Sequence, residues 1–163
     1  RRKAAQAFSQ GADDSIMPLL NTAAVIGFGG VVTQTAGFAQ FANWILNVGL
    51  PPLLSVFASV SVVSAIVGSS SGGLQIFMQS LGPHYIEMGV DPEILHRIAA
   101  IAAGGLDSLP HCGAVIATFM IMGITHKEAY RDIFVVTVAV PVIACLASIA
   151  LLMSLGMGMV SAG

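Results

Sequence analysis

Asp107, Ser108 and His111 stand within the stretch Gly104-Gly-Leu-Asp-Ser-Leu-Pro-His-Cys-Gly113. The stretch lies between two largely apolar runs, Ile94 to Ala103 and Ala114 to Ile124. Either run, as helix, reaches about 15 Å, half of a bilayer's hydrocarbon core. Joined by the polar break they are long enough to cross. Glycine and proline do not let the break stay helical. Ionisable groups at such depth are costly and mark transport paths, and interrupted helices build the substrate sites of many secondary transporters. Asp107 can carry a proton, because desolvation raises a carboxyl pKa, or it can ligate Na⁺; its structural alternative is to cap the second half-helix or bind amides freed by its own break. His111 can donate to a carboxylate or relay a proton, or serve as a hydrogen-bonded structural histidine. Ser108 reads first as a local backbone partner.

A second polar break, Gly68-Ser69-Ser70-Ser71-Gly72-Gly73, separates the short apolar runs Leu53 to Val67 and Leu74 to Leu81. Three hydroxyls with free backbone N–H groups at a helix start suit a carboxylate or an ion. The alternative is a small-residue packing turn. The same residues match Gly-x-Ser-x-Gly with Ser70 at the nucleophile position, which would pair Ser70 with His111 in an intramembrane serine hydrolase. That pattern is weakly specific, and no strand precedes it.

The elements that must position these groups are hydrophobic. Of 163 residues, 56% are hydrophobic and 9% charged, against about a quarter charged in an ordinary soluble domain. Ser15 to Ile86 and Ile133 to Gly163 contain no Asp, Glu, Lys or Arg. So little charge cannot make a water-soluble surface, and the chain reads as an all-α, polytopic membrane protein. The short arms around the serine tip predict a re-entrant helical hairpin over about 52–82. A discontinuous helix is expected over about 92–124, with Asp91 as its cap and Pro92 in its first turn. A last span is expected over about 133–156. Met17 to Gln34 is a further candidate span, interrupted by Pro18 and Gly27-Phe-Gly-Gly30, in which Asn21 and Thr22 face a cavity or bond a neighbouring helix. Arg1 to Asp14 reads as a short helix or an interfacial segment, Ala36 to Val48 as an interfacial arm with Trp44 at headgroup depth, and His84 to Glu93 and Thr125 to Asp132 as loops. His96 and Arg97 are expected near the surface, snorkelling or pairing with Glu93. The basic clusters Arg1-Arg2-Lys3 and Lys127/Arg131 orient the chain with those ends cytoplasmic.

Net charge is −2, so nucleic acid is not an expected partner. Cys112 and Cys145 lack Cys-x-x-Cys spacing and read as packing residues. The four histidines are 12 or 15 residues apart, which excludes a local His-x-x-x-His metal pair. The start at Arg1, without Met, reads as the interior of a longer protein.

Four stretches carry a resemblance: Pro18-Leu-Leu-Asn-Thr-Ala-Ala, Ser69-Ser-Ser-Gly-Gly-Leu, Asp91-Pro-Glu-Ile-Leu-His-Arg-Ile-Ala and Gly104-Gly-Leu-Asp-Ser-Leu-Pro-His. They resemble the gluconate permease family, proton-coupled symporters of gluconate and related hydroxy acids. The nearest branch looks like the permeases labelled as 3-hydroxybutyrate or uncharacterised transporters, and the resemblance covers essentially the whole chain. It implies that the chain is the C-terminal portion of a longer permease, a single membrane domain over 1–163. It also implies one half of an inverted-repeat transporter of the ion-transporter superfamily, with the site where hairpin tip and helix break converge. Matched to this sequence, the tip is Gly68 to Gly73 and the break Gly104 to Gly113; the arm Ala36 to Val48 would join transport domain to scaffold. One departure is Cys112, where that branch usually has Asn.

The expectation is therefore a symporter of a bacterial inner membrane, not an enzyme, importing a small organic acid anion with H⁺. Substrate would be held by Ser69, Ser70, Ser71, Gly72, Gly73, Ser108 and His111, with Asp107 coupling the ion. The alternatives are Na⁺ coupling and the Ser70/His111 hydrolase. No cofactor or metal is expected beyond the coupling ion. The expected partners are the organic anion, the lipid bilayer and the N-terminal half of the same protein, with a homodimer left open.

Overall fold

The structure is a computed structural model that describes residues 2–159. Within them the chain is helical: α1 Arg2–Val32, α2 Ala36–Asn47, α3 Pro52–Val67, α4 Ser70–Ser80, α5 Gly82–Glu87, α6 Pro92–Leu106, α7 Gly113–Met122, α8 His126–Ile133, a π-helical segment Phe134–Ala139, and α9 Val140–Ser154. No strand occurs among the described residues; one isolated bridge pairs Val90 with Met159.

The core forms where α3, α4, α5, α6 and α9 meet, around Val56, Val60, Phe77, Tyr85, Leu95, Ile98, Ala99, Cys145 and Ile149. Helix α3 begins behind Pro51-Pro52 and ends at Gly68, whose φ of 64° is left-handed. There the N–H groups of Gly68 and Ser69 both return to the Ser64 carbonyl, at 2.8 and 3.3 Å. This is a glycine stop, which leaves the chain free to reverse. Ser69 then caps α4, its Oγ accepting from Gly72 N–H at 3.2 Å. The two arms pack so closely that a Cβ on Gly73 would lie 2.5 Å from the Ser64 Cα. Only glycine fits.

At the far end of the hairpin, hydroxyls join three elements. Tyr85, fully buried in α5, has its OH 2.7 Å from Ser55 Oγ and 2.8 Å from Ser59 Oγ on α3. Ser55 Oγ also donates to the Ile45 carbonyl of α2, at 3.2 Å. A buried tyrosine needs such partners. Helix α6 starts as its sequence dictates: Asp91 Oδ1 accepts from Glu93 and Ile94 N–H at 2.9 and 3.1 Å. Arg97 pairs with Glu93 on the exposed face.

Several expectations are corrected. Arg1 to Asp14 and Met17 to Gln34 are not separate elements: α1 is one helix of 31 residues, since Pro18 and the glycines weaken a helix without ending it when no alternative packing competes. The side chains of Asn21 and Thr22 lie outside the described residues. His84 to Glu93 is not wholly a loop, because α5 forms with Pro83 in its first turn and buries Tyr85. Thr125 to Asp132 is also helical. Thr125 and Glu128 make a reciprocal capping box, and the helix continues unbroken as His126–Ser154. The π segment ends at Ala139, two residues before Pro141, whose missing N–H breaks the regular ladder.

Among the described residues, His126–Ser154 is the one helix long and apolar enough to cross a membrane, and only 17% of its apolar window is buried. A core helix of a soluble protein would be mostly buried. This one turns Val136, Ile143, Leu151 and Met153 outward. The segment expected as an arm over Ala36 to Val48 is helical, as α2, with Trp44 60% exposed and Ile45 buried.

Gly73→Ala is expected to lower hairpin stability by about 1–3 kcal/mol through overpacking, read as a fall in melting temperature in detergent. Adding Ser64→Gly should not restore it, because the clash includes backbone.

Candidate functional site

The two helix breaks touch. His111 Nε2 lies 2.9 Å from the Ala65 carbonyl in the last turn of α3. The carbonyl can only accept, so that nitrogen carries the proton. Cys112 Sγ donates to the Gly68 carbonyl at 3.1 Å. A Cβ on Gly68 would meet the Cys112 Cα at 3.6 Å and His111 Cδ2 at 3.9 Å. The serine tip and the acidic break, 44 residues apart in sequence, thus share one junction.

Two further side chains reach it. Tyr130 OH donates to the Ser108 carbonyl at 3.1 Å, and His126 Nε2 lies 3.0 Å from the Pro110 carbonyl. Both come from the first turns of α8. Their rings pack in series with Phe119 and Phe134, over a small apolar cluster of Cys112, Val115 and Phe119. Sequence reasoning missed His126 and Tyr130, because it took their segment for a charged loop. The signal was present: Thr125-x-x-Glu128 is a capping box, and it puts His126 and Tyr130 four residues apart on one helical face.

The junction has an electrostatic bias. Four carbonyls of the two breaks, those of Ala65, Gly68, Ser108 and Pro110, accept side-chain hydrogen bonds. The backbone donors fare differently. Helix α4 begins at Ser70 and α7 at Gly113, and the first N–H groups of a helix have no intrahelical acceptor. Apart from Ser69 Oγ on Gly72, no acceptor among the described residues meets the N–H groups of Ser70, Ser71, Gly113 or Ala114. Two positive helix ends therefore start beside one contact.

The remaining expected residues are placed as follows. Ser69 and Ser71 lie with their hydroxyls 3.3 Å apart. Ser71 is exposed, Ser70 half-buried, and Gly72 and Gly73 are buried between the arms. Asp107 is half-buried and takes a 2.9 Å hydrogen bond from Ser108 Oγ. It does not cap α7, whose cap position is Cys112. No hydrogen bond among the described residues joins Asp107 to the serine tip. Nor does His111 bond Ser70; its Nε2 is engaged by Ala65, so the pair a serine hydrolase would need is not formed. Ser64 Oγ, one turn before the tip, is buried without a partner. Among the described residues no group of three or more His, Cys, Asp or Glu is placed to hold a metal.

The chain is 33% identical over 136 residues to a protein of Bacillus subtilis (strain 168) described as the uncharacterized transporter YxjC. The likeness is to a transporter. The match covers 81% of this chain but 29% of that protein, so the chain spans less than a third of its relative's length. No family model matches, and no solved structure matches. Transporter likeness, an all-helical fold and an exposed apolar helix long enough to span together indicate a membrane location.

Tyr130→Phe should leave the α3–α4–α6 core intact while freeing the Ser108 carbonyl, at a cost of about 1 kcal/mol. Amide exchange should quicken by roughly five-fold in residues 107–115 and stay unchanged in α3 and α6.

Proposed function

We propose that the chain contributes the substrate site of a secondary transporter that imports a small organic acid anion, a hydroxy monocarboxylate such as gluconate or 3-hydroxybutyrate, together with H⁺. One observation carries this: two helix starts with free N–H groups lie beside a single junction whose four named carbonyls are already occupied by side-chain donors. A site left with surplus donors attracts an anion.

In this reading, α3 and α4 form a re-entrant hairpin and α6 and α7 the halves of a discontinuous helix, in an inner-membrane protein with several spans. The carboxylate is held by the N–H groups of Ser70 and Ser71 and by the hydroxyls of Ser69 and Ser71. Gly72 and Gly73 let the backbone approach. Ser108 and His111 complete the polar wall. Asp107 is the coupling residue: a proton taken up with the anion offsets the anion's charge, which ties the two fluxes together. His111 and Cys112 then act as the latch that holds tip to break, and alternating access requires that latch to move as one piece or to open. The rest of the longer protein would supply the opposing half of the site.

Counterflow in proteoliposomes containing the full-length protein, with a panel of hydroxy acids, tests the reading. Asp107→Asn should abolish uptake driven by a pH gradient, by at least about ten-fold, yet retain exchange of substrate for substrate. Uptake that needs Na⁺ and ignores the pH gradient would instead assign a sodium-coupled carboxylate transporter. Absence of carboxylate exchange in the wild-type protein would overturn the proposal.

A further inference from the structure

Three of the chain's eight methionines, Met153, Met157 and Met159, stand at the end of α9 and just beyond it. All three line one cavity of about 250 Å³, walled on its other side by Pro51, Pro52 and Leu53 at the start of α3. The backbone brings them together. Helix α9 ends in a glycine stop: Gly156 takes a left-handed φ of 67°, and the N–H groups of Gly156 and Met157 return to the Met153 and Leu152 carbonyls at 3.2 and 2.9 Å. That motif folds Met157 back beside the turn that carries Met153. Gly158, with φ 119°, turns the chain again and presses on Leu53, whose Cδ1 would lie 2.9 Å from a Cβ at that position. Met159 then bridges Val90, and the Gly158 carbonyl accepts from Asp91 N–H at 3.1 Å.

The tail is thus pinned by its own backbone, while the thioether side chains stay accessible: Met153, Met157 and Met159 are 49%, 52% and 49% exposed. A tail that only packed or faced lipid would be served as well by leucine, which has no donor atom. Methionine carries a polarisable sulfur with lone pairs. Among the described residues, no side chain lining the cavity bears oxygen or nitrogen. A hard cation such as Na⁺ or Mg²⁺ therefore finds no side-chain ligand there, and Zn²⁺ finds neither imidazole nor thiolate. A donor set of thioethers alone selects Cu(I) among the biological metals.

We infer that Met153, Met157 and Met159 form a binding site for a soft monovalent cation, Cu(I) or its analogue Ag(I), held by three thioether sulfurs at the mouth of this cavity. The fixed backbone sets where the side chains start, and their rotatable bonds let the sulfurs converge on one ion. Pro51, Pro52 and Leu53 shield one side from water, which favours an ion that gives up its hydration readily. The site lies at the opposite end of the helix His126–Ser154 from the residues that reach the two breaks. It is therefore separate from the proposed anion site and does not rest on the transport reading. Loading it ties the tail to the start of α6, because Asp91 is bonded to that tail and caps that helix.

The test uses the full-length protein in detergent, titrated with Cu(I) against a chromogenic Cu(I) chelator under anaerobic, reducing conditions. Replacing all three methionines by leucine, which keeps volume and apolarity, should remove a single bound Cu(I) per chain. Each substitution alone should weaken that binding by at least about ten-fold, the loss that removing a mere supporting group at a metal site already brings. Blocking every thiol with N-ethylmaleimide should leave the ion in place, and Zn²⁺ should not displace it. A second measurement needs no variant and decides the matter if the leucine protein does not fold. Ag(I) should protect Met153, Met157 and Met159 from sulfoxide formation by hydrogen peroxide, read by mass spectrometry, while the exposed Met120 and Met122 still oxidise. Unchanged Cu(I) uptake by the leucine variant, loss of the ion on thiol blocking, or protection that is absent or spread equally over all five methionines would overturn the site.

Discussion

Breaking a helix in apolar surroundings releases backbone groups that must find partners, and the structure of this chain is organised around meeting that demand twice at one place. Each break leaves carbonyls at the end of one half-helix and N–H groups at the start of the next. The four side chains that reach the junction, His111, Cys112, His126 and Tyr130, all donate to carbonyls. That choice is asymmetric. It engages acceptors and leaves donors at Ser70, Ser71, Gly113 and Ala114, so the junction is biased toward negative ligands without a single Lys or Arg. A lysine there would have brought a full charge. Free amides bring partial charge at lower desolvation cost.

The two halves of the junction are held with unequal firmness. The hairpin is locked at both ends, by the close approach of Gly73 to Ser64 near the tip and by the Ser55–Ser59–Tyr85 hydroxyl cluster at the base. Its flank against α6 lies in the main core. Helix α7 rests instead on a cluster of three buried residues, Cys112, Val115 and Phe119, backed by the first turns of α8. Parts of a protein that move are drawn from the less densely packed regions of its fold. The arrangement sets a firmly packed tip against a lighter partner, with the hydrogen bonds of His111 and Cys112 between them.

The π-helical segment belongs to the same logic. The helix His126–Ser154 must serve two masters: its first turns point His126 and Tyr130 at the break, and its later turns pack Cys145 and Ile149 into the main core. A regular helix fixes the angle between those faces at 100° per residue. The widened turns over Phe134–Ala139, just before Pro141, add a local rotation that lets both contacts be made.

The sequence by itself determined where helices stop inside the hairpin and the discontinuous helix. Gly68 can turn left-handed, Asp91-Pro92 can start α6, and Gly104 to Gly113 cannot continue a regular ladder; each is a local property of a few residues and is legible from their types. It also marked the tip serines, Asp107 and His111 as polar groups where few others occur. Three things were decided only by tertiary structure. Pro18 and Gly27 to Gly30 looked like interruptions but sit inside α1, because breakers only bias a helix and context sets the outcome. Tyr85, within an apparent loop, became buried because Ser55 and Ser59 from α3 were there to meet its hydroxyl. The junction itself depends on distance in space and not in sequence: Ala65 and Gly68 meet His111 and Cys112 only because α3 packs along α6, and no local pattern of residue types encodes a contact made across two helices.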